Sequence, residues 1–136
     1  MVAKPELKNR VLQRIASGEA FHFVGKDKWR IGERTVHVRY RSGPKSGGTV
    51  FSCNINPNTL TADYEIWICG DAETYYLFPI KLMKDIYDDP ATYVDATHPK
   101  IRVAEVDTAS HRVLFGRNAK SFDGSKYFRA TLRDFG

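Results

Sequence analysis

The sequence predicts an α+β fold: one domain, 1–136, with a mixed or mostly antiparallel sheet built from hairpins, an N-terminal helix, a short middle helix and a C-terminal helix. Three observations carry this expectation. Leu7, Val11, Leu12 and Ile15 recur at helical spacing, with Lys8, Arg10, Gln13 and Arg14 between them. Three later stretches read as paired strand segments around turn-rich centres, which is hairpin patterning. Ile80–Asp88 is a short helical stretch bounded by Pro79 and Pro90.

In chain order, Pro5 to Ser17 reads as an amphipathic helix lying on a sheet, with Gly18 available as its C-terminal cap. Phe21 to Val24 and Trp29 to Ile31 read as short strands around the turn Gly25-Lys26-Asp27-Lys28. Thr35 to Asn58 reads as a hairpin whose loop runs from Ser42 to Thr49. Antiparallel pairing then sets Tyr40 against Phe51, Val38 against Cys53 and Val36 against Ile55 on an apolar face. The opposite face pairs Arg39 with Ser52, His37 with Asn54 and Thr35 with Asn56.

Pro57-Asn58 breaks the pattern, and a second hairpin follows over Tyr64–Cys69 and Thr74–Ile80. Its register sets Ile68 against Tyr75, Trp67 against Tyr76 and Ile66 against Leu77, apolar on both faces, so it belongs at the centre of the fold. A third hairpin spans Ile101–Val106 and His111–Phe115, with Glu105 expected across from Arg112. Tyr127, Phe128, Leu132 and Phe135 suggest a C-terminal helix over Ser125–Phe135.

The polar face of the Thr35–Asn58 hairpin is the first functional candidate. His37, Arg39 and Arg41 stand on one side of one strand, about 6.7 Å apart at two residues per repeat. Guanidinium groups bind phosphate or guanine bidentately and Asn pairs with adenine. The expected nucleic-acid contacts are therefore His37, Arg39, Arg41, Lys45, Ser52, Asn54 and Asn56. Trp29, flanked by Lys26, Lys28 and Arg30, adds a candidate stacking platform for a base.

Composition points the same way. Twenty-one Lys plus Arg against sixteen Asp plus Glu give a net charge of +5, a basic bias that favours polyanionic partners. Cys53 and Cys69 lack Cys-x-x-Cys spacing and read as small buried hydrophobes in a reducing compartment. No segment approaches a membrane span and the start lacks a signal-peptide core, so cytoplasmic residence without a membrane partner is the default. Walker, nucleophile-elbow, zincin and dinucleotide motifs are absent. His22, His37, His98 and His111 are scattered, and Asp85, Asp88 and Asp89 lack calcium-loop spacing, so no resident metal or other cofactor is expected.

One wider pattern runs over residues 5–80. A helix, short strands, Val36-His37-Val38-Arg39, then Ala62-Asp63-Tyr64 and Tyr75-Tyr76-Leu77-Phe78-Pro79 follow in order. This arrangement resembles the restriction-endonuclease-like (PD-D/E-x-K) nuclease family, with an altered catalytic motif. His37-Val38-Arg39 occupies the place of the Glu-x-Lys triplet, ten residues after Asp27.

The resemblance implies Asp27, His37 and Arg39 as catalytic positions if the chain is a nuclease, with Mg²⁺ as its cofactor. Yet His brings no negative charge to Mg²⁺ and Arg does not act as a base. Glu33 or Glu65 would have to supply a migrated carboxylate. The expectation is thus a nucleic-acid-binding domain, DNA ahead of RNA, from a restriction or mobile-element defence system. A metal-dependent DNA endonuclease and a protein-interaction module are the alternatives.

Overall fold

The computed structural model describes residues 3–116 and 120–135. Helix α1 (Lys4–Ala16) opens the chain, with Pro5 in its first turn, where a missing N–H costs nothing. It closes one residue before the glycine expected to cap it. Ser17 takes the left-handed conformation (φ 51°) and its N–H donates to the Arg14 carbonyl.

Two five-stranded sheets follow. The first contains β1 (Phe21–Gly25), β2 (Lys28–Ile31), β3 (Arg34–Arg41), β5 (Tyr64–Cys69) and β6 (Tyr75–Pro79), in the order β1-β2-β3-β5-β6. All its pairings are antiparallel except β3 with β5, which is parallel. The second contains β4 (Val50–Ile55), β8 (Arg102–Asp107), β9 (Arg112–Leu114) and β10 (Ser121–Asp123), in the order β10-β9-β8-β4, with β7 (Tyr93–Val94) paired to β8. Helix α2 (Ile80–Asp88) leaves the end of β6 at Pro79, as its flanking prolines predicted.

The first sheet is the middle layer. On one face, Val11, Leu12 and Ile15 of α1 bury against Val36, Val38, Ile66, Ile68, Tyr75 and Leu77. On the other, Trp67, Cys69, Tyr76 and Phe78 meet Phe51, Cys53, Ile55, Ala104 and Val106 of the second sheet, and Met83 and Ile86 of α2. Each such buried aliphatic or aromatic side chain contributes about 1.5–3 kcal/mol. The expected register of the second hairpin is the observed one: Ile66 faces Leu77, Trp67 faces Tyr76 and Ile68 faces Tyr75.

Three expectations are corrected. Thr35–Asn58 is not a hairpin, because β3 pairs with β2 and β5 while β4 pairs with β8 in the other sheet. Val36 and Val38 serve the core beneath α1, whereas Phe51, Cys53 and Ile55 serve the core between the sheets. Alternation fixes the buried side of each strand but not its neighbour. The third hairpin forms two residues out of the expected register, placing Asp107 opposite Arg112 and Glu105 opposite Leu114.

The C-terminal helix is replaced by two short 3-10 turns, Ser125–Tyr127 and Leu132–Phe135. Between them Phe128 bridges to Tyr76, the Arg129 N–H donates to the Tyr75 carbonyl, and Arg129 is left-handed (φ 55°). Pairing with the edge of β6 takes the place of helical hydrogen bonds, while Tyr127 and Leu132 still reach the core.

Candidate functional site

Side-chain alternation places Lys28, His37 and Arg39 on the second face of the middle sheet, because their strand neighbours Trp29, Val36 and Val38 face α1. Lys28 lies directly across from His37, and His37 directly across from Glu65. Here the second sheet no longer covers the strands, and a recess of about 210 Å³ opens. Lys26, Asp27, Lys28, His37, Arg39, Asn56, Asn58 and Thr59 line it.

Two loops complete the walls. The β1–β2 turn carries Lys26 (φ 51°) and Asp27 (φ 60°) in left-handed conformations, the backbone of a tight type I′ hairpin turn. Such turns favour Gly, Asn or Asp, so a left-handed lysine here is a local strain retained at a recess wall. The Val38 N–H donates to the Asp27 carbonyl at 2.9 Å and ties the turn to β3. Opposite, the Thr59 N–H donates to Asn56 Oδ1 at 3.2 Å and the Thr59 hydroxyl to the Asn56 carbonyl at 2.9 Å. Lys28 Nζ reaches across to the Thr61 hydroxyl at 2.5 Å.

Glu65 lies beneath this surface with 0% exposure. His37 Nδ1 stands 2.5 Å from Glu65 Oε1, and His37 is itself only 6% exposed. Burial pushes the Glu65 carboxyl above its ordinary range, while His37, Arg39 and Thr59 favour its charged form. The second carboxylate oxygen, Oε2, and the buried Arg39 Nε have no protein hydrogen-bond partner. Two ionisable groups are thus held at the floor of a recess rimmed by Lys26, Lys28 and Arg39.

Asp27 behaves differently. Partial burial disfavours its charge, but the Lys8 ammonium, 3.0 Å from Oδ1, holds its pKa below the ordinary value. Its carboxylate is therefore tied to α1, and 58% of its side chain is exposed.

Of the expected site residues, Asp27, His37, Arg39 and Asn56 come together here. The others do not join them. Arg41 lies two residues farther along β3, across from Cys69, with its Nε buried. Ser52 and Asn54 alternate with Phe51, Cys53 and Ile55, and so lie on the outer face of the second sheet. Trp29 faces α1, packing edge-on against Phe23 at 5.0 Å with Lys8 Nζ 5.9 Å from its ring centre. The expected stacking platform is therefore on the opposite side of the sheet from His37. Lys45 begins the 3-10 turn Lys45–Gly47, in the loop that passes between the sheets.

Lys26, Lys28, Asn58 and Thr59 join the recess without having been singled out for it. Glu65 carried a readable signal, as the one acid in the otherwise apolar strand Tyr64–Cys69. Cys53 and Cys69 are buried free thiols. Burial raises both, Cys69 to about 12. Among the described residues, no group of three or more His, Cys, Asp or Glu side chains is arranged to hold a metal ion. Nor is any helix among them long and apolar enough to cross a membrane.

No family model matches the chain. No curated protein matches it either. Among solved structures it is similar to MepB, at 19% identity over 75% of this chain and 78% of that one, with a TM-score of 0.36. A likeness at that level carries no argument about fold or function.

Proposed function

We propose that this chain is a nucleic-acid-binding domain, with DNA as the first polymer to test, and that a backbone phosphate seats in the recess over His37 and Arg39. The observation that carries the reading is the convergence of Lys26, Lys28, Arg39 and His37 with the amides of Asn56 and Asn58 around one small opening. Cations fix the phosphate, while side-chain amides and a hydroxyl suit sugar and base edges. The surface continues outward, since Arg30 and His22 share the face of Lys28 on β2 and β1 and are exposed. A strand of phosphates thus has a cationic path from the recess to the sheet edge.

Fluorescence anisotropy of a labelled duplex across a salt series tests this. Each phosphate neutralised adds about 0.9 to the slope of log affinity against log salt, so replacing Lys26, Lys28 and Arg39 together by Ala, which empties the one phosphate seat they rim, lowers it by about 0.9. A folded triple variant with the slope of the parent sinks the proposal. The metal-dependent endonuclease reading makes a separate demand, that Mg²⁺ bring on plasmid nicking which Asp27→Ala stops. The Lys8 ammonium already pairs with Asp27 Oδ1, so a metal at that carboxylate would compete with it.

A further inference from the structure

We infer that His37 and Glu65 form a general-base pair that cleaves ribonucleotide linkages without a metal, by transfer of the phosphate to the neighbouring 2′-hydroxyl. This rests on the reading of the recess as a phosphate seat. A histidine becomes a positioned base when one ring nitrogen is held by a carboxylate and the other faces the reaction space. His37 meets the first condition through Nδ1 and the fully buried Glu65. For the second, His37 is one of the side chains that line the recess, with Nδ1 turned to the carboxylate.

The surrounding charges fit the reaction. Attack by an internal hydroxyl makes a phosphorane with added negative charge, and Arg39 and Lys28 flank His37 on the same face of the sheet. Nε2 takes the 2′-hydroxyl proton as O2′ bonds to phosphorus. The bond from phosphorus to O5′ breaks, and the departing oxygen takes a proton from solvent. The imidazolium then returns its proton to solvent. The products are a 2′,3′-cyclic phosphate and a 5′-hydroxyl, with no water consumed and no change of oxidation state. Because the nucleophile belongs to the substrate, RNA is the substrate class and DNA a bound but uncleaved ligand. Glu65 is a positioning residue that acts through His37.

The experiment uses the full chain in EDTA with two labelled single strands, one all-deoxy and one identical except for a single ribonucleotide. The expected result is that both bind, and that only the second is cut, 3′ to the ribonucleotide, with a cyclic phosphate end. His37→Asn, checked as folded by circular dichroism, slows cleavage by about 10²–10⁴-fold, the usual contribution of general acid–base catalysis. Glu65→Gln lowers the cleavage rate at saturating RNA while KM stays near that of the parent, the split expected of a residue that positions the base and does not hold the strand. Lys26, Lys28, Arg39 and Asp27 are the other charged side chains of the recess, and all four are unchanged in that variant.

A wild-type chain that binds both strands and leaves the ribonucleotide linkage intact overturns the inference while the binding reading stands. Equal cutting by folded His37→Asn also overturns it. Failure to bind either strand removes the binding reading and this one with it.

Discussion

The two faces of the middle sheet are made by the same strands and behave differently. The face under α1 is apolar along β3 and β5, with Val36, Val38, Ile66 and Ile68 each at most 1% exposed. The other face changes character along its length. Trp67, Tyr76 and Phe78 are sealed between the sheets, whereas His37 and Arg39 border an opening. One strand therefore supplies packing from its even-numbered positions and chemistry from its odd-numbered ones. The second sheet packs on Trp67, Cys69, Tyr76 and Phe78 of β5 and β6, while the recess opens beside His37 and Arg39 of β3 and Lys28 of β2.

The largest test of that contrast lies in the sealed part. Phe78 is fully buried, with ring centres 4.9 Å from Trp67 and 5.4 Å from Tyr127. Phe78→Ala is expected to cost about 3–5 kcal/mol in a denaturant melt. The fraction that remains folded should bind oligonucleotide as the parent does. Lost affinity in folded protein would break the division between packing and chemistry.

A smaller effect comes from the boundary between the two regions. Burial raises the Glu65 carboxyl in the folded state, so the native protein binds more protons than the unfolded chain above the ordinary carboxylate range. Glu65 therefore favours the fold at acid pH, and that contribution falls as pH rises through its native pKa. Thermal melts from about pH 4.5 upward should show Glu65→Gln gaining stability relative to the parent as pH increases. A constant difference would mean that Glu65 does not titrate differently on folding.

The smallest effect belongs to the solvated exterior. Lys81 and Asp85 form an i,i+4 pair at 3.1 Å with both side chains mostly exposed. Lys81→Ala should change stability by no more than about 0.5 kcal/mol, and less in high salt. A larger change in the melt would show that this end of α2 is more tightly coupled to the core than its exposure implies.

Local patterns read well from the sequence, and long-range ones did not. The helical spacing of Leu7, Val11, Leu12 and Ile15 gave α1, and the prolines around Ile80–Asp88 gave α2. The Tyr64–Ile80 hairpin was legible in register because a four-residue turn leaves few alternatives. The strand pair β3 and β4 offered the same clean alternation, but its loop hides a change of sheet. That error split the expected polar face, leaving His37 and Arg39 on one sheet and Ser52 and Asn54 on another. Asn56 rejoined them only because the chain turns back at Pro57. The apolar C-terminal residues pointed correctly inward at Tyr127 and Leu132, although hydrogen bonds to β6 displaced the helix.

The parallel pairing of β3 with β5 has a consequence for how the molecule forms. Between those strands the chain travels through β4, whose partner β8 comes some fifty residues later. Contacts of such sequence separation form late, after local hairpins and helices, because the loop they close is long. Asn56–Thr59, one wall of the recess, lies on that detour. The β1–β2 hairpin can arise early and by itself, but the opening between Lys28 and Thr59 comes into being only with the final closure. Binding would then be the last property the chain acquires on refolding, lagging behind the far-ultraviolet signal of its helices.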